Sequence, residues 1–89
     1  MSLNQIQIKK IIELAKFYGA TRLILFGSAL EKQKKARDID LACDGVYGWK
    51  LYEFAARLED DIGTSIDIVS LSPPTRFTKY IEAKGKVLI

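Results

Sequence analysis

The sequence has no histidine and one cysteine, Cys43. Without histidine there is no Ser-His or Cys-His nucleophilic pair and no imidazole-ligated zinc. A single thiol cannot build a cysteine-ligated zinc or iron–sulfur site within one chain. Carboxylates are therefore the metal ligands left to this protein. Proline is confined to Pro73-Pro74, and no apolar run approaches the ~20 residues of a membrane span. The N-terminus lacks the apolar core of a signal peptide, and with one cysteine a cytoplasmic location is expected. A net charge of +3 is too small an excess to argue for nucleic-acid binding. No repeat, linker or low-complexity stretch divides the chain, so residues 1–89 read as one small domain. Hydrophobic residues make up 48% of it, enough for a globular fold rather than disorder.

What is present is a pattern of turn and acids. Leu25-Phe26-Gly27-Ser28 is an apolar strand running into a tight turn, and Asp38-Ile39-Asp40-Leu41 follows after nine residues. Aspartates two apart in a strand point to the same face. Two negative side chains together on a sheet are unfavourable unless a cation joins them. Hard divalent ions such as Mg²⁺ are held by one or two protein carboxylates plus substrate phosphates. Alone, a Gly-Ser pair is an ordinary turn and an Asp-x-Asp is more often a solvated face. A third acid adds weight: Asp67 sits within the β-branched run Ser65-Ile66-Asp67-Ile68-Val69, where a buried charge would need a partner. The chemistry implied is metal-assisted phosphoryl or nucleotidyl transfer.

Apolar periodicity places these residues on elements. Ile8, Ile11, Ile12 and Ala15 predict a helix over residues 2–18, with a Ser2–Gln5 capping box and Gly19 at its end. Arg22 to Phe26 reads as a strand buried on both faces. In the next strand Ile39, Leu41 and Cys43 face one way and Asp38, Asp40 and Ala42 the other, which puts Cys43 in the core. Leu51, Phe54, Ala55, Leu58 and Ile62 form the core stripe of a helix over residues 47–62, closed by Gly63. Ile66 to Leu71 is a third strand. Ser72 is expected to cap a helix with Pro73 at its first position and Phe77, Tyr80 and Ile81 as its apolar stripe. Gly85 ends that helix, and Val87 to Ile89 forms an edge strand. The order implies an α/β (α+β) two-layer sandwich, a mixed sheet of about four strands with helices on one face.

The strand, Gly27-Ser28, the spacer, Asp38-x-Asp40 and the later Asp67 together resemble the minimal nucleotidyltransferases of the DNA polymerase β superfamily. The likeness runs from Arg22 to Ile89. It implies a nucleotidyltransferase-like sandwich in which Gly27 and Ser28 hold a nucleoside triphosphate. It also implies that Asp38 and Asp40 bind two Mg²⁺ ions and that Asp67 completes a catalytic and metal-binding triad, with ATP as substrate. Many members carry arginine and glycine just after Gly-Ser, where this chain has Ala29-Leu30-Glu31. The cations of the following stretch, Lys32 and Arg37 among them, are candidates to meet the triphosphate instead; the alternative is a solvated loop. Stand-alone minimal members are often paired with a HEPN-domain toxin, which they modify with AMP on a tyrosine as its antitoxin. That partner is the expectation here, alongside association of like chains.

Trp49 and Tyr52 fall off the core stripe of their helix and are candidates for a partner interface; a covering loop is the alternative. Two other functions stay open, a small-molecule nucleotidyltransferase and a non-catalytic nucleotide-binding or interaction module. Mg²⁺-dependent pyrophosphate release separates the last from the enzymes.

Overall fold

The computed structural model describes residues 3–27 and 38–89. The first element, α1 (Gln5–Phe17), starts later than its periodicity predicts, because Asn4 is the better cap. The Asn4 side chain accepts from the Gln7 N–H, and the Gln7 side chain accepts from the Asn4 N–H, so both orphan donors are satisfied. The expected capping partner Ser2 lies outside the described residues. Four strands follow: β1 (Arg22–Phe26), β2 (Asp38–Asp44), β3 (Ser65–Ser70) and β4 (Lys86–Val87). Between them lie α2 (Trp49–Ile62) and α3 (Arg76–Lys84).

The sheet order is β3-β2-β1-β4. β1 pairs antiparallel with both β2 and β4, whereas β2 and β3 run parallel through the α2 crossover. The result is the expected mixed sheet, with β3 and β4 at its edges. Strand alternation divides the side chains between two faces. Leu23, Leu25, Ile39, Leu41, Cys43 and Ile66 pack against Ile11 and Ala15 of α1 and Phe54 and Leu58 of α2. This is the main core. Truncating its largest buried side chain, Phe54→Ala, would cost about 3–5 kcal/mol, a large fraction of the stability of a domain this small.

The other face is not bare, which corrects the picture of helices on one side only. Ile24 and Ala42 pack there against Leu71 and Ile81, so α3 covers part of that face. Helix α3 also starts later than expected. Pro74 favours an extended conformation at the residue before it, so a helix cannot begin at Pro73. Thr75 and Thr78 supply the cap by reciprocal side-chain bonds. Ser72 instead donates to Asp44 Oδ1 at 3.1 Å. The buried positions of α3 are Thr78 and Ile81, while Phe77 and Tyr80 of the expected stripe are exposed. Gly85 does cap the helix, but with an extended backbone. Its lack of a side chain matters because a β-carbon would run into Ile24 and the backbone of Leu25.

Candidate active site

The direction of β1 sets up the site. Its last residue, Phe26, stands opposite Asp40 of β2, and Asp40 stands opposite Asp67 of β3. All three side chains share the face that α3 partly covers, in one row across three strands. Asp38 lies two residues further out on the same face of β2, with Ser65 as its register partner. The Ile24–Ala42 row next to the acids is the part beneath Ile81. The carboxylates therefore occupy the end of the sheet just beyond the helical cover. Asp38 and Asp67 are exposed, and Asp40 is half-buried.

Burial pushes the Asp40 carboxyl above the usual carboxylate range, and the negative charges of Asp67 and then Asp38 push it in the same direction. The structure thus brings the predicted acids close enough for their charges to act on one another. Hard carboxylate oxygens with mutual repulsion suit a divalent cation. Among the described residues, no three His, Cys, Asp or Glu side chains are grouped to enclose a metal ion. Magnesium does not demand such a cage, since substrate phosphates and water complete its coordination.

Gly27 closes one side. Its φ of +76° lies in the region that side-chain-bearing residues rarely adopt. A β-carbon at Gly27 would also overlap the Asp40 carboxylate. Gly27, the residue after β1, is thus pressed directly against the central acid, with no side chain between its backbone and a ligand held there. Ser28, Lys32 and Arg37, the other residues expected to contact the triphosphate, lie outside the described residues.

The expected partner residues are not brought to the acids. Trp49 (68% exposed) and Tyr52 (79%) lie uncovered on the first two turns of α2, in the opposite layer. They follow the Asp44 end of β2, and β2 is roughly 20 Å long from Asp38 to Asp44. A groove of about 360 Å³ lined by Lys10, Glu13, Leu14, Phe17, Arg57 and Asp61 also belongs to that helical layer, so this concavity and the acids do not coincide. Cys43 is fully buried, as expected, and burial with the Asp44 charge raises its thiol to about 11, far from a reactive thiolate.

Two features escaped the sequence reading. Phe77 of α3 meets Phe26 edge to face with ring centroids 5.8 Å apart, placing an aromatic pair beside Asp40. Alternation from Asp40 across to Phe26 could have located Phe26, but nothing local places Phe77 there. Asp44, at the other end of β2, accepts from Tyr47 Oη (2.7 Å), the Gly45 N–H (3.0 Å) and Ser72 Oγ. Its even spacing from Asp38 and Asp40 was legible, yet its role is to pin the loops rather than to join the site.

The family model described as polymerase beta, nucleotidyltransferase matches residues 9–89. No curated protein matches the chain significantly. Among solved structures, a chain of the toxin–antitoxin complex MntA–HepT is similar at 23% identity, with a TM-score of 0.76 over 97% of this chain and 72% of that one. A second is the tri-AMPylated Shewanella oneidensis HEPN toxin in complex with MNT antitoxin, at 24% identity and a TM-score of 0.77, covering 98% and 72%. A toxin–antitoxin structure with AMP-PNP gives 24% identity and a TM-score of 0.79, covering 92% and 72%. These likenesses show a shared fold. With the family model matching nearly all of the sequence, the chain belongs to the polymerase beta nucleotidyltransferase family.

Proposed function

We propose that this protein is a Mg²⁺-dependent nucleotidyltransferase that moves AMP from ATP to a tyrosine hydroxyl of a HEPN-domain partner, as the antitoxin of a toxin–antitoxin pair. One observation carries the transfer reading. Asp38, Asp40 and Asp67 share one open end of the sheet, with Gly27 pressed against Asp40. The HEPN partner rests on the similar solved structures, in which toxin and antitoxin occur together and one toxin is AMPylated.

In the reaction the acceptor oxygen forms a bond to the α-phosphorus. The bond from that phosphorus to the bridging oxygen breaks, and pyrophosphate leaves with the electron pair. Asp38 and Asp40 would hold Mg²⁺, which would supply neutralisation of phosphate charge. Asp67, exposed on the edge strand, would take the acceptor's proton or orient its oxygen. Gly27 offers its backbone to the phosphates without a side chain intervening. Positioning and charge neutralisation make up most of the task, so few residues suffice.

The test is co-expression with a HEPN-domain protein encoded beside this gene, followed by incubation of the purified pair with ATP and Mg²⁺. Intact-mass spectrometry should show whole AMP increments on the partner, mapping to tyrosine and lost in Asp40→Asn. Release of pyrophosphate with a small alcohol as sole acceptor would replace the protein target. Absence of any Mg²⁺-dependent pyrophosphate release would refute the enzyme itself.

A further inference from the structure

The row of side chains that contains the acids changes character at Asp40. On one side lies Asp67; on the other lies Phe26, with Phe77 against it. Phe77 comes from α3, on the far side of the chain in sequence, and is 52% exposed despite its contact with Phe26. Adjacent residues of the same helix account for its position without explaining its exposure. Ile81, one turn on, packs on Ile24 and Ala42, and Glu82 bonds to Arg22 at 2.7 Å. Helix α3 is thus held across the sheet by Ile81 and Glu82, and its core does not require an aromatic ring at position 77.

We propose that Phe77, backed by Phe26, is the stacking platform for the base of the bound nucleotide. This rests on the nucleotidyltransferase reading above and adds a positioning residue to it. A nucleoside triphosphate has an anionic end and a flat, weakly polar end. The acids are suited to the first through a cation, and the aromatic pair next to them is suited to the second. Phe26 is seated in the row and buried on one side, so it serves as the support; Phe77 leaves much of its ring open. Stacking on an aromatic ring tolerates any base, because every base has a π-face. The platform therefore contributes affinity and placement of the nucleoside, with little choice among bases.

Calorimetric titration of the whole chain with ATP, GTP and inorganic tripolyphosphate, each with Mg²⁺, tests this. Phe77→Ala should weaken ATP and GTP by a similar factor of roughly ten and leave tripolyphosphate unchanged. Phe77→Trp should bind both nucleotides at least as well as the parent. Phe77→Leu keeps an apolar side chain without a π-face and should behave as Phe77→Ala, which covers the case of a poorly folded alanine variant. Unchanged ATP binding in Phe77→Ala, equal loss of ATP and tripolyphosphate, or failure of tryptophan to restore binding would each overturn the platform. A parent chain that binds neither ATP nor tripolyphosphate would instead overturn the nucleotidyltransferase reading on which it rests.

Discussion

Asp40 and Asp67 stand directly opposite each other across the parallel pair of β2 and β3, on the face of the sheet away from α1 and α2. Two acids in that relation destabilise the strands that carry them unless a positive charge lies between them. The consequence is testable by removing either charge.

For Asp40→Asn, we expect the fold to become more stable near neutral pH by a few tenths to about 1 kcal/mol, the scale of cross-strand pairs. Burial and the two neighbouring acids raise the Asp40 carboxyl, so the folded state holds that proton more tightly than the unfolded chain. The penalty is full above the raised folded value, shrinks as pH falls through it, and vanishes below the ordinary carboxylate value. Parent and variant should therefore converge in acid. Thermal melts from neutral pH downward measure the gap. The same melts with Mg²⁺ and ATP should stabilise the parent and not the variant.

Asp67→Asn should separate binding from turnover. Asp67 is exposed on an edge strand, whereas Asp40 lies beside the Gly27 turn. The variant is expected to keep appreciable nucleotide affinity and to lose transfer by a hundredfold or more, the lower end for a positioned acid–base group at about 10²–10⁴. A titration run beside a pyrophosphate assay checks it. Equal loss of both would place Asp67 among the ligands of the nucleotide-bound ion.

Gly27→Ala carries two independent costs, a side chain at positive φ and an overlap with Asp40. The backbone part alone is worth about 1–2 kcal/mol. The steric part depends on the Asp40 side chain, so combining Gly27→Ala with Asp40→Ala should recover that fraction of the lost stability. Denaturant unfolding of the four proteins in a double-mutant cycle reads the coupling. Simple additivity would mean that the two residues do not press on each other.

Asp44→Ala should lower the melting temperature by roughly 5 °C at neutral pH, because three donors lose their acceptor. The Tyr47 hydroxyl above all, with Ser72, the Gly45 N–H and Arg22, holds the Asp44 carboxyl below the usual range. A depressed value stabilises the fold above the unfolded carboxylate pKa, and that gain is lost as pH falls through the folded value. The gap between parent and variant should thus close in strong acid. Nucleotide binding is expected to persist, since Asp44 lies at the other end of β2.

Replacing Trp49 and Tyr52 together with alanine should weaken association with a HEPN-domain partner by more than ~2 kcal/mol, the hot-spot range. Both are solvent-exposed on α2, so the isolated domain should fold and bind nucleotide as before. Their distance from the acids requires a partner broad enough to cover α2 and still reach the sheet end. Co-purification with each variant and an affinity measurement decide it. An unchanged affinity would move the interface elsewhere.

The sequence was most readable where a pattern repeats at short range. Alternation in Asp38-Ile39-Asp40-Leu41-Ala42-Cys43 was enough to sort acids from core, and β1 reads as buried because Leu23, Ile24 and Leu25 all are. Helix starts were harder, since several polar residues compete to cap them; Asn4 caps α1, and Thr75 prevailed over Ser72. What the chain could not disclose locally were contacts set by the turn of α3 back across the sheet. Ile81 on Ala42 and Phe77 on Phe26 join residues far apart in sequence. The carboxylate row was legible as a list of acids, while its registration opposite Phe26 depended on how β1 and β2 paired.

The two edges of this sheet are not equivalent. β4 is only two residues long, paired with Ile24 and Leu25, and the two residues after it are tied down by Leu23, whose backbone exchanges bonds with Leu88 and Ile89. β3 has a paired strand on one side only, and it carries Asp67. A cation held by Asp38 and Asp40 would offset the repulsion between Asp40 and Asp67 and so act as a staple, fastening the outermost strand to an interior one. Amide hydrogen exchange would then report loading of the site as slower opening of β3, while β1, already paired on both sides and covered on both faces, would stay as it was. Rigidity at the rim of the sheet would thus be something the ligand brings with it.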